Sequence, residues 1–293
     1  MNLQEFLARQ QQFVDRELDR LVPTEAIEPT TIHRAMRYSL FAGGKRIRPL
    51  LCLCAAEAVS EAVVGAVTTA CTLEFIHTYS LIHDDLPALD NDDYRRGKLT
   101  CHKVFGDAIA ILAGDALLTL AFQVLASIKV DHAHRVRLVA ELSEAAGTVG
   151  GMIGGQVADL EGEGQEPEAA LLESIHRAKT GALLRASVRM GAIHAAAAPE
   201  QLTALSRYGE HIGLAFQMVD DILDVEESSE ALGKTAGKDA QQRKITFPAV
   251  YGVAESKRMA EDERQKAHDA IAIFGAHARR LHELADFIVH RKA

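Results

Sequence analysis

Apolar residues recur along most of the chain at intervals of three and four, the period of a helix that buries one face. Read from the N-terminus, that period predicts an amphipathic helix over 2–20, a connection from Val22 to Pro29, and a second helix from about Thr31 to Ala42. Gly43 and Gly44 interrupt it, Pro49 restarts a helix near 50–60, and another follows over 65–86. After a loop from Gly97 to Gly106 the stretch Ala108 to Ala126 is apolar except for Asp115, Thr119, Gln123 and a glycine. A helix apolar all round reads as the buried centre of a helical protein rather than a membrane span, because a charge at mid-span is costly in lipid.

A helix is expected from Ala133 through Asp159, although its glycines at 147, 150, 151, 154 and 155 each lower helicity by about 1 kcal/mol relative to alanine. Those glycines suit close helix packing or room beside a ligand. Glu161 to Pro167 reads as loop, 168–195 as helix with a bend at Gly181, and about Gln201 to Val225 as helix again. The polar stretch 226–240 is a candidate lid, and helices over 241–255, 259–274 and 277–290 close the chain. No strand with period-two alternation and no internal repeat stands out. The predicted class is all-α, in a single domain spanning 1–293, since nothing in the sequence marks a boundary.

Composition changes this picture little: 48% hydrophobic and 25% charged residues are ordinary for a soluble globular protein. A net charge of −9 argues against a nucleic-acid partner, and an acidic protein that holds anionic ligands needs local basic residues and metal ions. Cys52, Cys54, Cys71 and Cys101 have no zinc-ligand spacing and read as buried free thiols. The N-terminus lacks a signal-peptide core, so a cytoplasmic location is expected.

The chemistry gathers at 81–96, LIHDDLPALDNDDYRR, where five aspartates lie within ten positions. The helix leading in must stop near Pro87, so Asp84 and Asp85 sit at a helix C-terminus, where each carboxylate loses about 0.3–1 kcal/mol to the macrodipole. Grouped oxygen ligands of this kind call for a hard divalent cation, and Mg²⁺ is usually held by one or two carboxylates plus substrate phosphates. A second group lies in GLAFQMVDDILDV at 213–225, where helical spacing puts Asp220, Asp221 and Asp224 on one face with Gln217, opposite Ile212, Ala215, Val219 and Ile222. Neither Asp90 nor Asp92 begins an EF-hand loop, because the required glycine and glutamate are missing. Gly43 and Gly44 beside Lys45, Arg46 and Arg48 suit a phosphate, and His77, two turns before Asp84, faces the same side as the aspartates.

Together GGKRIRP at 43–49, HDDLPALDNDDYRRG at 83–97, GGQVADL at 154–160, KTG at 179–181, FQMVDDILD at 216–224 and the later GKTAGKD and RKITFP resemble the trans-isoprenyl diphosphate synthases, and within them the bacterial farnesyl diphosphate synthases. The resemblance covers nearly the whole chain. It implies a bundle of helices around a central cavity, a homodimer, and head-to-tail condensation of isopentenyl diphosphate with dimethylallyl or geranyl diphosphate. It further implies Mg²⁺, three ions per site with Mn²⁺ as an alternative, held by Asp84, Asp90, Asp220 and Asp224, with Asp85 and Asp221 in outer-shell roles. On the same pattern Arg95, Lys179, Thr180, Gln217, Lys234 and Lys244 bind the allylic diphosphate, while Gly44, Lys45, Arg48, His77 and Arg96 bind isopentenyl diphosphate. Lys179, Thr180 and Gln217 would also stabilise the carbocation. Arg291 and Lys292 match the family's basic C-terminus, but Ala293 follows them.

Product length follows from the helix that carries Asp84, since a growing tail runs along it and each turn covers about 5.4 Å. Small Ser80 would admit a geranyl tail and bulky Tyr79 would stop growth beyond farnesyl. The alternatives are the same chemistry ending at geranyl or geranylgeranyl diphosphate, and a non-catalytic regulatory subunit of a heteromeric synthase. A class I terpene cyclase would not need GGKRIRP, and a metal-storing helical protein would not need the interleaved arginines and lysines.

Overall fold

The computed structural model describes residues 1–60, 64–164, 168–230 and 245–291. The chain forms two compact units, Met1–Leu53 with Val63–Val139, and Cys54–Ala62 with Ala140–Ala293.

In the first unit α1 (Leu3–Leu21) starts at a capping box, where the Asn2 side chain accepts the Glu5 N–H and the Glu5 carboxylate accepts the Asn2 N–H. It buries Phe6, Val14 and Leu18, spaced so that they fall on one stripe. Then come α2 (Thr30–Leu40), the first turns of α3 (Ile47–Val59), and α4 (Ala66–Asp84). α4 is buried on almost every side, with Phe75, Ile76, Tyr79 and Ile82 in the core. A hairpin of two-residue strands, β1 (Tyr94–Arg95) and β2 (Lys98–Leu99), leads to α5 (Cys101–Phe105) and α6 (Asp107–Ser127). Strands this short cannot show alternation, which is why the sequence pattern missed them.

α6 packs on α4 through Gly114, where a Cβ would overlap the His83 ring. The expectation that α6 is buried all round holds for one face only: Ala110, Ala113, Leu117, Ala121 and Val124 are inside, but Ile111 and Leu112 are 45% and 53% exposed. Among the described residues it is the one helix long and apolar enough to cross a bilayer, and less than half of its apolar stretch is covered.

α7 (His132–Ala146) carries the chain into the second unit, followed by α8 (Met152–Gly162), α9 (Ala169–His176), a π-helical segment Arg177–Gly181, and α10 (Ala182–His194). The continuous helix expected over 133–159 is therefore two helices. Gly147 to Gly151 separate them, with Gly150 at φ +67°, a left-handed conformation that ends a right-handed helix and that glycine adopts without strain. The bend expected at Gly181 is the π segment ending there. α11 (Pro199–Glu230) packs against α10 and against α13 (Val253–Ala270), and a core of Leu172, Leu214, Met218, Val219, Phe247 and Ala260 joins them. The 3₁₀ turn Ala272–Ala278 and α14 (Arg279–His290) close the chain.

α11 extends beyond Val225 to Glu230, so the start of the stretch read as a lid is helical, and 231–244 lie outside the described residues. The helix read over 241–255 is instead α12 (Phe247–Tyr251) and the first turn of α13, divided at Gly252 with φ +79°. The four cysteines are buried free thiols, as expected.

Candidate active site

Asp84 is the last residue of α4 and Asp85 its C-cap. The chain then turns back on the helix end: the Asp90 N–H donates to the Asp84 carbonyl at 2.8 Å, the Asp92 N–H to the Asp85 carbonyl at 3.2 Å, and Asn91 takes φ +51° to make the turn. Residues separated along the sequence are thereby set side by side at the negative end of α4. Asp85 is 3% exposed and pairs with Arg95, through Nε at 2.8 Å and Nη2 at 2.6 Å. Burial raises the Asp85 carboxyl above its ordinary range, and the Arg95 hydrogen bond offsets that only in part. Burial works against the Arg95 charge too, but Asp85, Asp84 and Asp92 outweigh it.

The glycine loop supplies the basic group. Gly43 and Gly44 have φ of +104° and +127°, backbone that only glycine adopts without strain. A Cβ on Gly44 would lie 2.8 Å from Cζ of Arg96, whose guanidinium lies flat on the loop and donates to the Gly43 carbonyl. Burial pushes the His77 imidazole well below its ordinary pKa, and Arg48, Arg96, Arg95 and Arg46 push it further, so the ring is neutral at physiological pH. Lys45 is exposed. Arg46 departs from its expected role. It is 4% exposed and turns inward to Glu74 at 2.8 Å, Asp15 at 2.8 Å and the Leu40 carbonyl at 2.8 Å, which pins the loop to α1, α2 and α4.

In the second unit the π segment carries Lys179 and Thr180 between two close helix contacts. A Cβ on Gly155 of α8 would overlap the Lys179 backbone nitrogen, and one on Gly213 of α11 would lie 2.8 Å from the Gly181 Cα. Lys179 Nζ pairs with Asp159 at 2.6 Å. Thr180 donates to Gln217 Oε1 at 2.8 Å, Gln217 Nε2 donates to Asp221 Oδ1 at 2.8 Å, and the Phe247 N–H donates to Asp221 Oδ2 at 3.0 Å. Asp220 is partly exposed and pairs with Arg291, whose guanidinium also sits 4.0 Å from the Phe216 ring centroid. Asp224 is half-buried one turn on, and Lys234 and Lys244 lie outside the described residues. Sequence reasoning missed Asp159 as the partner of Lys179, though it lies in GGQVADL, and it missed His176 and Phe247 beside Asp221.

Residues 29–281 match the polyprenyl synthetase family. The chain belongs to that family. This polyprenyl synthetase is similar to the farnesyl diphosphate synthase of Geobacillus stearothermophilus, 48% identical over 261 residues, with 88% of this chain and 87% of that protein covered. It is similar also to the geranylgeranyl diphosphate synthase of Cyanophora paradoxa, 45% identical over 293 residues, covering 99% and 97%. Among solved structures an FPP/GFPP synthase from Zymomonas mobilis matches with a TM-score of 0.88 and 34% identity over 98% of this chain and 99% of that one. The polyprenyl synthetase is thus an all-α trans-prenyltransferase of isoprene biosynthesis.

The donor set fits Mg²⁺. The acids are oxygen ligands without thiols, the donor type that Mg²⁺ takes, while among the described residues no three ligating side chains converge on one point. Placing the π segment so tightly makes Gly155 a sensitive position. Gly155→Ala is expected to lower turnover at least tenfold, because the added methyl must displace the backbone of Lys179, and a shift of about 1 Å in a positioning group can cost ~10²-fold. Steady-state kinetics with unchanged turnover in that variant would contradict the packing argument.

Proposed function

We propose that this polyprenyl synthetase condenses isopentenyl diphosphate with dimethylallyl and then geranyl diphosphate, and that farnesyl diphosphate is its main product. The observation that supports the C15 product is Tyr79. It stands five residues before Asp84 on α4, is 5% exposed, and its ring meets His83 edge-on with centroids 5.8 Å apart. Burial, with Asp84 adding to it, pushes the phenol up to about 12, so the side chain is a neutral, bulky block. The Ser80 hydroxyl folds back onto the His77 carbonyl at 2.9 Å and adds little bulk.

The difficult step is heterolysis of an allylic C–O bond, which leaves charge on the departing diphosphate. Mg²⁺ held by Asp84, Asp90, Asp220 and Asp224 would supply neutralisation of that charge, with Asp85 and Asp221 outside the first shell. Arg95 and Lys179, each fixed by a carboxylate at 2.6 Å, are oriented before substrate arrives, and Lys234 and Lys244 are assigned to the same diphosphate. Gly44, Lys45, Arg48, Arg96 and the neutral His77 bind the isopentenyl diphosphate. Thr180 and Gln217 turn oxygen lone pairs toward the allylic cation without forming a bond. Every nearby acid being engaged, the released diphosphate removes the final proton. The exposed Ile111 and Leu112 of α6 support a homodimer, and we take the two units as one catalytic domain of a cytoplasmic enzyme.

The test is incubation with radiolabelled isopentenyl diphosphate, dimethylallyl diphosphate and Mg²⁺, with products separated by chain length. Tyr79→Ala is expected to yield C20 or longer products and Ser80→Phe to stop at C10. Unchanged C15 in both variants would place the ruler elsewhere. A wild-type C20 product would favour the geranylgeranyl reading, in line with the Cyanophora relative.

A further inference from the structure

We propose that His176 is a positioning residue for prenyl transfer, acting through Asp221 on Gln217 and Thr180; the inference rests on the assignment of those two residues to the allylic cation. His176 is the last residue of α9, where the helix widens into the π segment. It is 7% exposed, stacks on Phe247 with centroids 5.4 Å apart and planes within 17°, and aims Nε2 at Asp221 Oδ2 from 3.3 Å. Nε2 is buried and makes no hydrogen bond, although Asp221 Oδ2 stands within reach of it. A buried ring nitrogen left in that state is unusual, and the carboxylate it faces explains it.

Asp221 is itself 3% exposed, and both its oxygens already accept from the protein, Oδ1 from Gln217 and Oδ2 from the Phe247 N–H. Its acceptors fix which way the Gln217 amide points. With the NH₂ end on Asp221, the carbonyl end must face Thr180, whose hydroxyl donates to it at 2.8 Å. The row therefore runs in one direction, from donor to acceptor, and leaves oxygen lone pairs on Thr180 and Gln217 for a developing cation. If Asp221 rotated, Gln217 could turn its positive NH₂ end outward and oppose that cation. His176 Nε2 faces Oδ2 from 3.3 Å without a formed hydrogen bond, and a small turn of the ring makes it a second donor beside the Phe247 N–H, which holds the carboxylate against this rotation. The Phe247 stack holds His176 in turn.

The competing explanation is that His176 only fills space against Phe247. His176→Phe keeps a stacked ring and removes the donor, while His176→Gln restores an N–H. The experiment measures kcat, KM for both diphosphates and the melting temperature of the full-length protein. His176→Phe is expected to lower kcat about 10- to 100-fold with KM values changed less than about threefold and the melting temperature retained. His176→Gln is expected to recover most of the loss, and His176→Phe should add nothing to Gln217→Ala. A His176→Phe kcat equal to wild type, or a loss that multiplies with that of Gln217→Ala, overturns the proposal. If His176→Phe does not fold, His176→Leu takes its place as the variant without a donor: a kcat at least tenfold below that of His176→Gln in folded protein supports the role, and equal kcat in the two overturns it. A wild-type enzyme that forms no prenyl product would instead overturn the functional reading beneath the proposal.

Discussion

Asp84→Ala and Asp220→Ala are each expected to lower turnover by at least ~10³-fold, about 4 kcal/mol of transition-state stabilisation, without loss of fold. The two effects have different origins. On the function proposed above, turnover falls because each substitution removes a carboxylate assigned to the metal that would neutralise the leaving diphosphate. Stability is kept because Asp84 stands at the negative end of α4, where a carboxylate costs about 0.3–1 kcal/mol, and because the buried Arg291 guanidinium, on losing Asp220, keeps the Phe216 carbonyl and ring as partners. Circular dichroism with steady-state kinetics at saturating Mg²⁺ checks both parts. Near-normal turnover in either variant would end the metal-clamp assignment. Asp85→Ala should behave differently, since it leaves the Arg95 guanidinium without its nearest partner.

Arg46→Met is expected to destabilise the protein by about 3–5 kcal/mol, the usual cost of removing one member of a buried ion pair. Glu74 is 2% exposed and would be left charged and unpaired beside α4. Replacing Glu74 as well, with Leu, should recover much of the loss, because two apolar side chains then fill the space with no stranded charge. Urea denaturation of the single and double variants measures this. An Arg46→Met protein with normal stability but a KM for isopentenyl diphosphate raised tenfold or more would show that Arg46 binds substrate after all.

The sequence by itself determined the all-α class, the two acidic groups, the glycine loop and the family, because each depends on spacing within a few helical turns. The carboxylates of Asp220 and Asp224 share a face at any position in space, since a four-residue interval on a helix requires it. Only the tertiary structure decided which charged side chains turn inward and are consumed in the fold. Arg46 and Arg48 read alike in the sequence, but Arg46 turns inward because Glu74, 28 residues on, and Asp15, 31 residues back, meet there. Asp220 and Asp221 also read alike, yet Asp221 is buried and accepts the N–H of Phe247, 26 residues away. The break between α7 and α8 and the hairpin at Tyr94–Leu99 belong to the same class: a local glycine cost or a two-residue strand is too weak a signal to predict until its packing is known. Partners brought together from distant segments leave no periodicity in the chain, so their effect on a side chain's burial and direction appears only once the helices are packed.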